Sequence, residues 1–173
     1  MPLVLIVGPS GVGKSTLAQL AAELVGAVYV DLDAAADVHG LGPPYHHRAT
    51  PLVESYAADA DRWYVVDVGA GFQAEPQGME WMHPHREGMI TVMAAPEVVL
   101  GRLQASRRDG RTLEGFIAQE FSAARFAIYD MASHCVDNSG DVDVQARGMA
   151  GFISHLMDAA SQLTLPLLAV AVA

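Results

Sequence analysis

Lysine is almost missing from this chain. Lys14 stands alone, and every other basic residue is an arginine. Positive charge as a whole is scarce, with 10 Lys and Arg against 20 Asp and Glu and a net charge of −10. An acidic balance of this size argues against a protein that lives by attraction to nucleic-acid phosphates, which needs a basic surface. The single cysteine, Cys135, excludes an intramolecular disulfide framework and a cysteine-only zinc site. Its apolar setting, His134-Cys135-Val136, predicts a small buried side chain. No apolar run approaches the roughly 20 residues that span a bilayer; Leu163 to Ala173 comes nearest. The apolar start, Met1 to Val7, lacks the basic flank of a secretion signal and runs straight into glycine. The expectation is a soluble cytoplasmic protein, monomer or homodimer, with no nucleic-acid or membrane partner.

What is present is an alternation of strand-like and helix-like segments. Pro2 to Val7 reads as a strand buried on both faces. Lys14 to Val25 places Leu17, Leu20, Ala21 and Leu24 at helical spacing, with Gly26 at the C-cap position. Ala27 to Val30 reads as a strand ending in Asp31-Leu32-Asp33, which makes a βαβ unit with the first two strands parallel. Ala34 to Pro51 reads as loop or irregular helix, Leu52 to Ala60 as helix, and Arg62 to Val68 as strand. Phe72 to Gly88 shows no clear period. Met89 to Met93 and His134 to Asn138 read as strands; Pro96 to Ser106, Leu113 to Ala132 and Val142 to Gln162 read as helices. Pro166 should break any helix in the tail. Together these predict a three-layer α/β/α sandwich around a mainly parallel five-stranded sheet, in one domain over residues 1–162 with an apolar tail over 163–173.

The strongest signal is Gly8-Pro9-Ser10-Gly11-Val12-Gly13-Lys14-Ser15, a complete G-x-x-x-x-G-K-[ST] pattern between a strand and a helix. Glycines allow successive backbone N–H groups of this stretch, Gly11, Val12 and Gly13 among them, to point at a polyanion. The start of the helix adds its positive dipole end. Lys14 supplies a mobile charge for the β and γ phosphates, Ser15 a hydroxyl ligand for Mg²⁺, and Thr16 falls near the α phosphate. The absence of a second lysine removes the Asn-Lys-x-Asp guanine reader, so the predicted nucleotide is ATP.

Four further features follow in order: Asp31-Leu32-Asp33, Arg48, Gly69-Ala70-Gly71 and Arg125-Phe126-Ala127-Ile128-Tyr129. With the phosphate loop they resemble shikimate kinases and their relatives among nucleoside-monophosphate-kinase-like P-loop phosphotransferases, over Leu3 to about Phe152. The resemblance implies a P-loop kinase fold and ATP- and Mg²⁺-dependent phosphorylation of a hydroxyl on a small anionic metabolite, with a shikimate-like acceptor favoured. It implies that Asp31 acts near Mg²⁺, that Asp33 grips and deprotonates the acceptor hydroxyl, and that Arg48 and Arg125 hold a substrate carboxylate. Gly69, Ala70 and Gly71 would bring backbone amides to the substrate. Residues 34–60 would form the substrate-binding segment. A mobile lid would lie around 107–113, with Arg111 closing over the phosphates as a catalytic group and Arg108 as its alternative.

Departures from the family pattern are Ala70 for a glycine, no proline after Arg111, and a short Asp33 to Arg48 segment. Asp67, ending an apolar strand, is a candidate Mg²⁺ ligand or a turn cap. Asp33 has a second reading as the cap of a helix starting at Ala34. His46-His47 and His83-Pro84-His85 lack a third ligand at metal spacing and read as loop histidines or a substrate contact. Met79, Trp81, Met82 and Met89 read as packing under a loop. Two rival functions stand beside the kinase of an anionic metabolite. One is a kinase for another acceptor (a nucleoside, sugar or antibiotic); the other is a nucleotide-binding regulatory module.

Overall fold

A computed structural model describes residues 2–37, 46–74, 78–106 and 110–170 of the chain. Five strands form one parallel sheet: β1 (Leu3–Val7), β2 (Val28–Asp31), β3 (Tyr64–Asp67), β4 (Met89–Met93) and β5 (His134–Asp137), in the order β2-β3-β1-β4-β5. The expected three-layer architecture is present. β1 lies at the centre, and all five of its residues are buried. Its side chains alternate: Val4 and Ile6 enter one core, while Leu3, Leu5 and Val7 enter the other. That is the mark of a strand covered on both faces, and it explains the unbroken apolar run. β1 and β2 are parallel, as the βαβ reading requires, but β3 lies between them.

Helix α1 (Lys14–Val25) follows β1, with the predicted bounds. Leu17 and Ala21 are buried and Leu20 is half-buried, whereas Leu24 in the last turn faces solvent. The helix ends in a Schellman turn: Gly26 has φ +71°, and the Ala27 N–H donates to the Ala22 carbonyl at 2.9 Å. The long helix α9 (Val142–Val170) packs on α1, with Met149 and Ile153 fully buried in the same core. On this side also lie α6 (Pro96–Ala105) and α7 (Leu113–Glu120). The opposite core receives α2 (Leu32–Ala35), α3 (His46–Ala58), α4 (Ala70–Ala74), α5 (Gly78–Met82) and α8 (Ala123–Asp130).

Several boundaries differ from those expected. β2 stops at Asp31, whose Oδ1 accepts the Ala34 N–H at 3.1 Å and so caps α2. Asp33 therefore sits in the first turn of a helix and does not extend the strand, and the capping role falls to Asp31. Helix α3 begins at His46 and carries Pro51 at its sixth position, inside the helix, where the missing N–H removes one backbone hydrogen bond. Phe72 to Gly88 holds α4, α5 and a 3₁₀ segment, His83–Gly88. The expected helix from Leu113 to Ala132 is two helices. Phe121 leaves the helical conformation at φ −117°, its ring edge-on to Phe116 at 6.0 Å, and Ser122 starts α8. Backbone helix continues past Pro166 to Val170; one lost hydrogen bond bends a long helix without ending it. Cys135 is exposed, because it lies on edge strand β5 while its neighbour Val136 points into the core. Trp81, Met82 and Met89 are core packing.

Gly26→Ala tests the cap. Nothing lies within 4 Å of the added methyl, so the cost is the left-handed backbone alone. That cost is about 1 kcal/mol, and thermal denaturation should show Tm falling by roughly 2–4 °C.

Candidate functional site

The sheet register brings the acids together. Asp31 pairs with Asp67 across β2 and β3, and Ile6 pairs with Asp67 across β1 and β3. All three strand ends thus meet at the carboxyl edge, where the loop after β1 begins. In α/β sheets ligands bind outside this edge. A cleft of about 280 Å³ opens there, lined by Ser10, Gly11, Lys14, Ser15, Asp31, Asp33, Asp67, Gly69, Ala70 and Gly71. Residues separated by more than fifty positions in sequence share this one space.

The loop backbone takes the left-handed turns that its glycines allow, with φ +76° at Gly11 and +96° at Gly13. The Val12 side chain is fully buried in the core, so this residue anchors the loop from below. Lys14 is buried, and its Nζ donates to the Gly8 and Pro9 carbonyls at 3.0 Å each. Burial pulls its pKa down, and the negative charges of Asp67, Glu120 and Asp33 oppose that shift. Ser15 Oγ donates to Asp67 Oδ2 at 2.5 Å. The other carboxylate oxygen, Asp67 Oδ1, is buried with no hydrogen-bond partner. Burial raises the Asp67 pKa, against the attraction of Lys14 and the Ser15 hydrogen bond.

A buried carboxylate oxygen without a partner is costly, and here it lies beside a serine hydroxyl and opposite Asp31. Hard oxygen donors of this kind fit Mg²⁺, which takes one or two carboxylates and completes its shell with water and substrate phosphate. Among the described residues no group of three or more His, Cys, Asp or Glu could hold an ion without such help. Tyr29, on the same face of β2, feels the fields of Asp67 and Asp31; burial above all, then those charges, push its hydroxyl up to about 12.

Asp33 occupies the opposite wall. A methyl on Gly69 would fall 2.1 Å from Asp33 Oδ1 and 2.2 Å from Oδ2, so the carboxylate lies directly over the Gly69 backbone. Only glycine leaves it that position. The glycine and the acid are therefore one unit, although they lie 36 positions apart.

Arg125 is buried and does not stand alone. Its guanidinium pairs with the Glu120 carboxylate, and Nη2 donates to the Ala70 carbonyl at 3.4 Å. One turn on, the Tyr129 hydroxyl donates to the Glu120 backbone carbonyl at 3.2 Å. The R-x-x-x-Y spacing is thus a helical i, i+4 fork that grips the end of α7. Arg111 donates to Glu120 Oε1 at 3.2 Å and to Gln119 at 2.6 Å, with its guanidinium 5.0 Å above the Phe116 ring. The Ser10 N–H of the phosphate loop donates to Glu120 Oε2 at 3.1 Å.

Arg48 lies on α3, outside the residues lining the cleft, with Nη1 buried and without a hydrogen-bond partner. Thr16 is exposed in the first turn of α1 and does not line the cleft. Arg108 lies outside the described residues, as do the side chains of His46 and His47. Burial lowers the His85 pKa, opposed by Glu54.

Three residues the sequence reading missed hold the loop in place. Gln73 accepts the Gly8 N–H at 3.2 Å and donates to the Val68 carbonyl at 2.6 Å, stitching the ends of β1 and β3. Asn138 donates to the Val12 carbonyl at 2.8 Å from beyond β5. Glu120 is the third. Each is a buried polar residue in a stretch with no motif, and only tertiary contact distinguishes it.

No protein-family model and no curated protein matches this sequence. Solved structures do. A shikimate kinase from Bacteroides thetaiotaomicron superposes with TM-score 0.66 at 17% identity, over 90% of this chain and 98% of that one. A gluconokinase from Sinorhizobium meliloti 1021 gives 0.62 at 13%, over 92% and 95%. The tunicamycin resistance protein of Deinococcus radiodurans gives 0.64 at 20%, over 87% and 94%. The chain therefore has the shikimate kinase-like P-loop kinase fold.

Asp67→Asn tests the electrostatics. A carboxyl whose folded pKa is raised destabilises the fold once pH climbs through the ordinary carboxylate range towards that raised value. The neutral amide should therefore raise the Tm of the metal-free protein at pH 7 by about 2–4 °C. The gain should vanish in acid, where Asp67 is itself protonated, and differential scanning calorimetry across pH reads both effects.

Proposed function

We propose that this protein is a small-molecule kinase, transferring the γ-phosphoryl group of ATP to a hydroxyl of a small acceptor with the help of Mg²⁺. The observation that carries the reading is the single cleft in which Lys14 and Ser15 face Asp33 and the Gly69–Gly71 backbone. Phosphoryl transfer asks for positioning and for charge stabilisation, and this cleft offers both. Lys14, held on two carbonyls, swings to the β and γ phosphates, whose charge offsets the cost of burying the ammonium. Ser15 and Asp67, with Asp31 alongside, would hold the metal, which supplies neutralisation of developing phosphate charge. Asp33 orients the acceptor hydroxyl and takes its proton as the oxygen attacks the γ phosphorus and the bond to the ADP oxygen breaks. Arg111 stabilises charge on the transferring group from the lid, around residues 107–113, with Arg108 as its alternative.

A shikimate-like hydroxy acid, held by Arg48 and Arg125 with residues 34–60 as its binding segment, is the acceptor we place first. The unpartnered Nη1 of Arg48 supports an anionic group. A second reading, a neutral polyhydroxyl acceptor, draws support from the Arg125 ion pair, since that guanidinium already has a carboxylate. The kinases of this fold named above differ in their acceptors, so fold does not choose between the two. The acidic balance favours no nucleic-acid partner, and no helix among the described residues is long and apolar enough to cross a membrane. We take residues 1–162 as the catalytic unit of a cytoplasmic monomer or homodimer, with 163–173 as a tail.

Asp33→Asn should lower kcat by roughly 10²–10⁴-fold while ATP binding, read by calorimetry, is kept; wild-type turnover in that variant refutes the assignment. A coupled-assay screen of shikimate, gluconate and neutral sugars separates the acceptor readings. Turnover of acids alone supports the first, and turnover of neutral compounds alone supports the second.

A further inference from the structure

Glu120 is among the most deeply buried charged residues described, with 2% of its surface exposed. It is also the point at which three separate parts of the site converge. Oε2 accepts the Ser10 N–H of the phosphate loop and pairs with Arg125, and Oε1 accepts from Arg111. A backbone amide of a glycine-rich loop and two arginines form the donor set that a phosphoryl group wants. A carboxylate now fills it. A buried carboxylate gathers donors only by giving up water, and three donors converge on this one.

We propose that Glu120 is a positioning residue whose carboxylate stands in for a phosphate, assembling Ser10, Arg125 and Arg111 before substrates bind, then yielding the Ser10 amide and Arg111 to the terminal phosphate of the nucleotide and Arg125 to the acceptor. The proposal rests on the reading of this loop as a polyphosphate site. The stand-in has two consequences of opposite sign. The arginines, which would otherwise repel one another and Lys14, are held in place before substrate arrives. The incoming phosphate must also displace an anion, so nucleotide binds less tightly than the donor set alone would allow. Tyr129 holds only the backbone carbonyl of Glu120, which leaves the side chain able to turn without unwinding the α7–α8 corner.

The test is the affinity for inorganic pyrophosphate and for ATP with Mg²⁺, measured by calorimetry on the whole protein and on Glu120→Gln. The amide keeps the size and one acceptor oxygen but removes the competing charge. A stand-in predicts a Kd roughly three- to tenfold lower in the variant, together with a reduced kcat, because the arginines lose their template. A residue that merely holds the corner together predicts a weaker or unchanged Kd. An equal or higher Kd in the variant overturns the proposal and leaves the kinase reading intact. Absence of binding in both proteins removes the polyphosphate reading and the proposal with it. Should Glu120→Gln fail to fold, the wild type decides through its ¹³C-labelled glutamate side chains and its Ser10 amide. Both signals should shift on saturation with pyrophosphate, and static signals at saturation overturn the proposal.

Discussion

A buried ammonium is the constraint around which the carboxyl edge of the sheet is arranged. Lys14 sits under its own loop, tied to two carbonyls, in a place where burial disfavours its charge. Asp67, a short distance away, suffers the same penalty with opposite sign. Burial disfavours the charge of both groups, and their mutual attraction only partly offsets the loss of water. On the proposed reading, a polyanion and a divalent cation entering together would make the arrangement favourable. The apolar cores above and below β1 carry the stability that this edge of the sheet does not.

The same logic runs through the arginines. Arg125 and Arg111 approach the loop from α8 and the α6–α7 connection, and without a common counter-charge they would push apart. Glu120 supplies it, and the bend at Phe121 and Ser122 aims both helices at the same point. A straight helix would have carried Arg125 away from Glu120, five residues being well past one turn. The break in the helix is thus a feature of the site as much as of the fold.

What could be read from the amino-acid order follows from the range of the forces involved. β1, the phosphate loop and α1 were legible because apolar runs, glycine turns and helical spacing are local. Asp31, Asp33, Asp67 and the Gly69–Gly71 turn were legible as residues, and the cleft gathers all of them with the loop. Their geometry was not. Asp31-Leu32-Asp33 reads as the end of a strand, whereas the capping hydrogen bond of Asp31 turns the chain into a helix between the two acids. The insertion of β3 between β1 and β2 leaves no local trace either. Gln73, Asn138 and Glu120 were invisible for the same reason: a buried polar residue looks like a surface one until its partner, 65, 126 or 110 positions away, is known.

The central position of β1 carries one more consequence. Strands flank it on both sides and its five side chains are wholly enclosed, so opening this segment requires opening the whole sheet. Its amides belong to the last class to exchange with solvent deuterium. The loop begins at the very next residue, where sheet hydrogen bonds give way to side-chain ones: the Gly8 N–H donates to Gln73 and the Gly8 carbonyl accepts from Lys14. The loop therefore hangs from the strand that opens last.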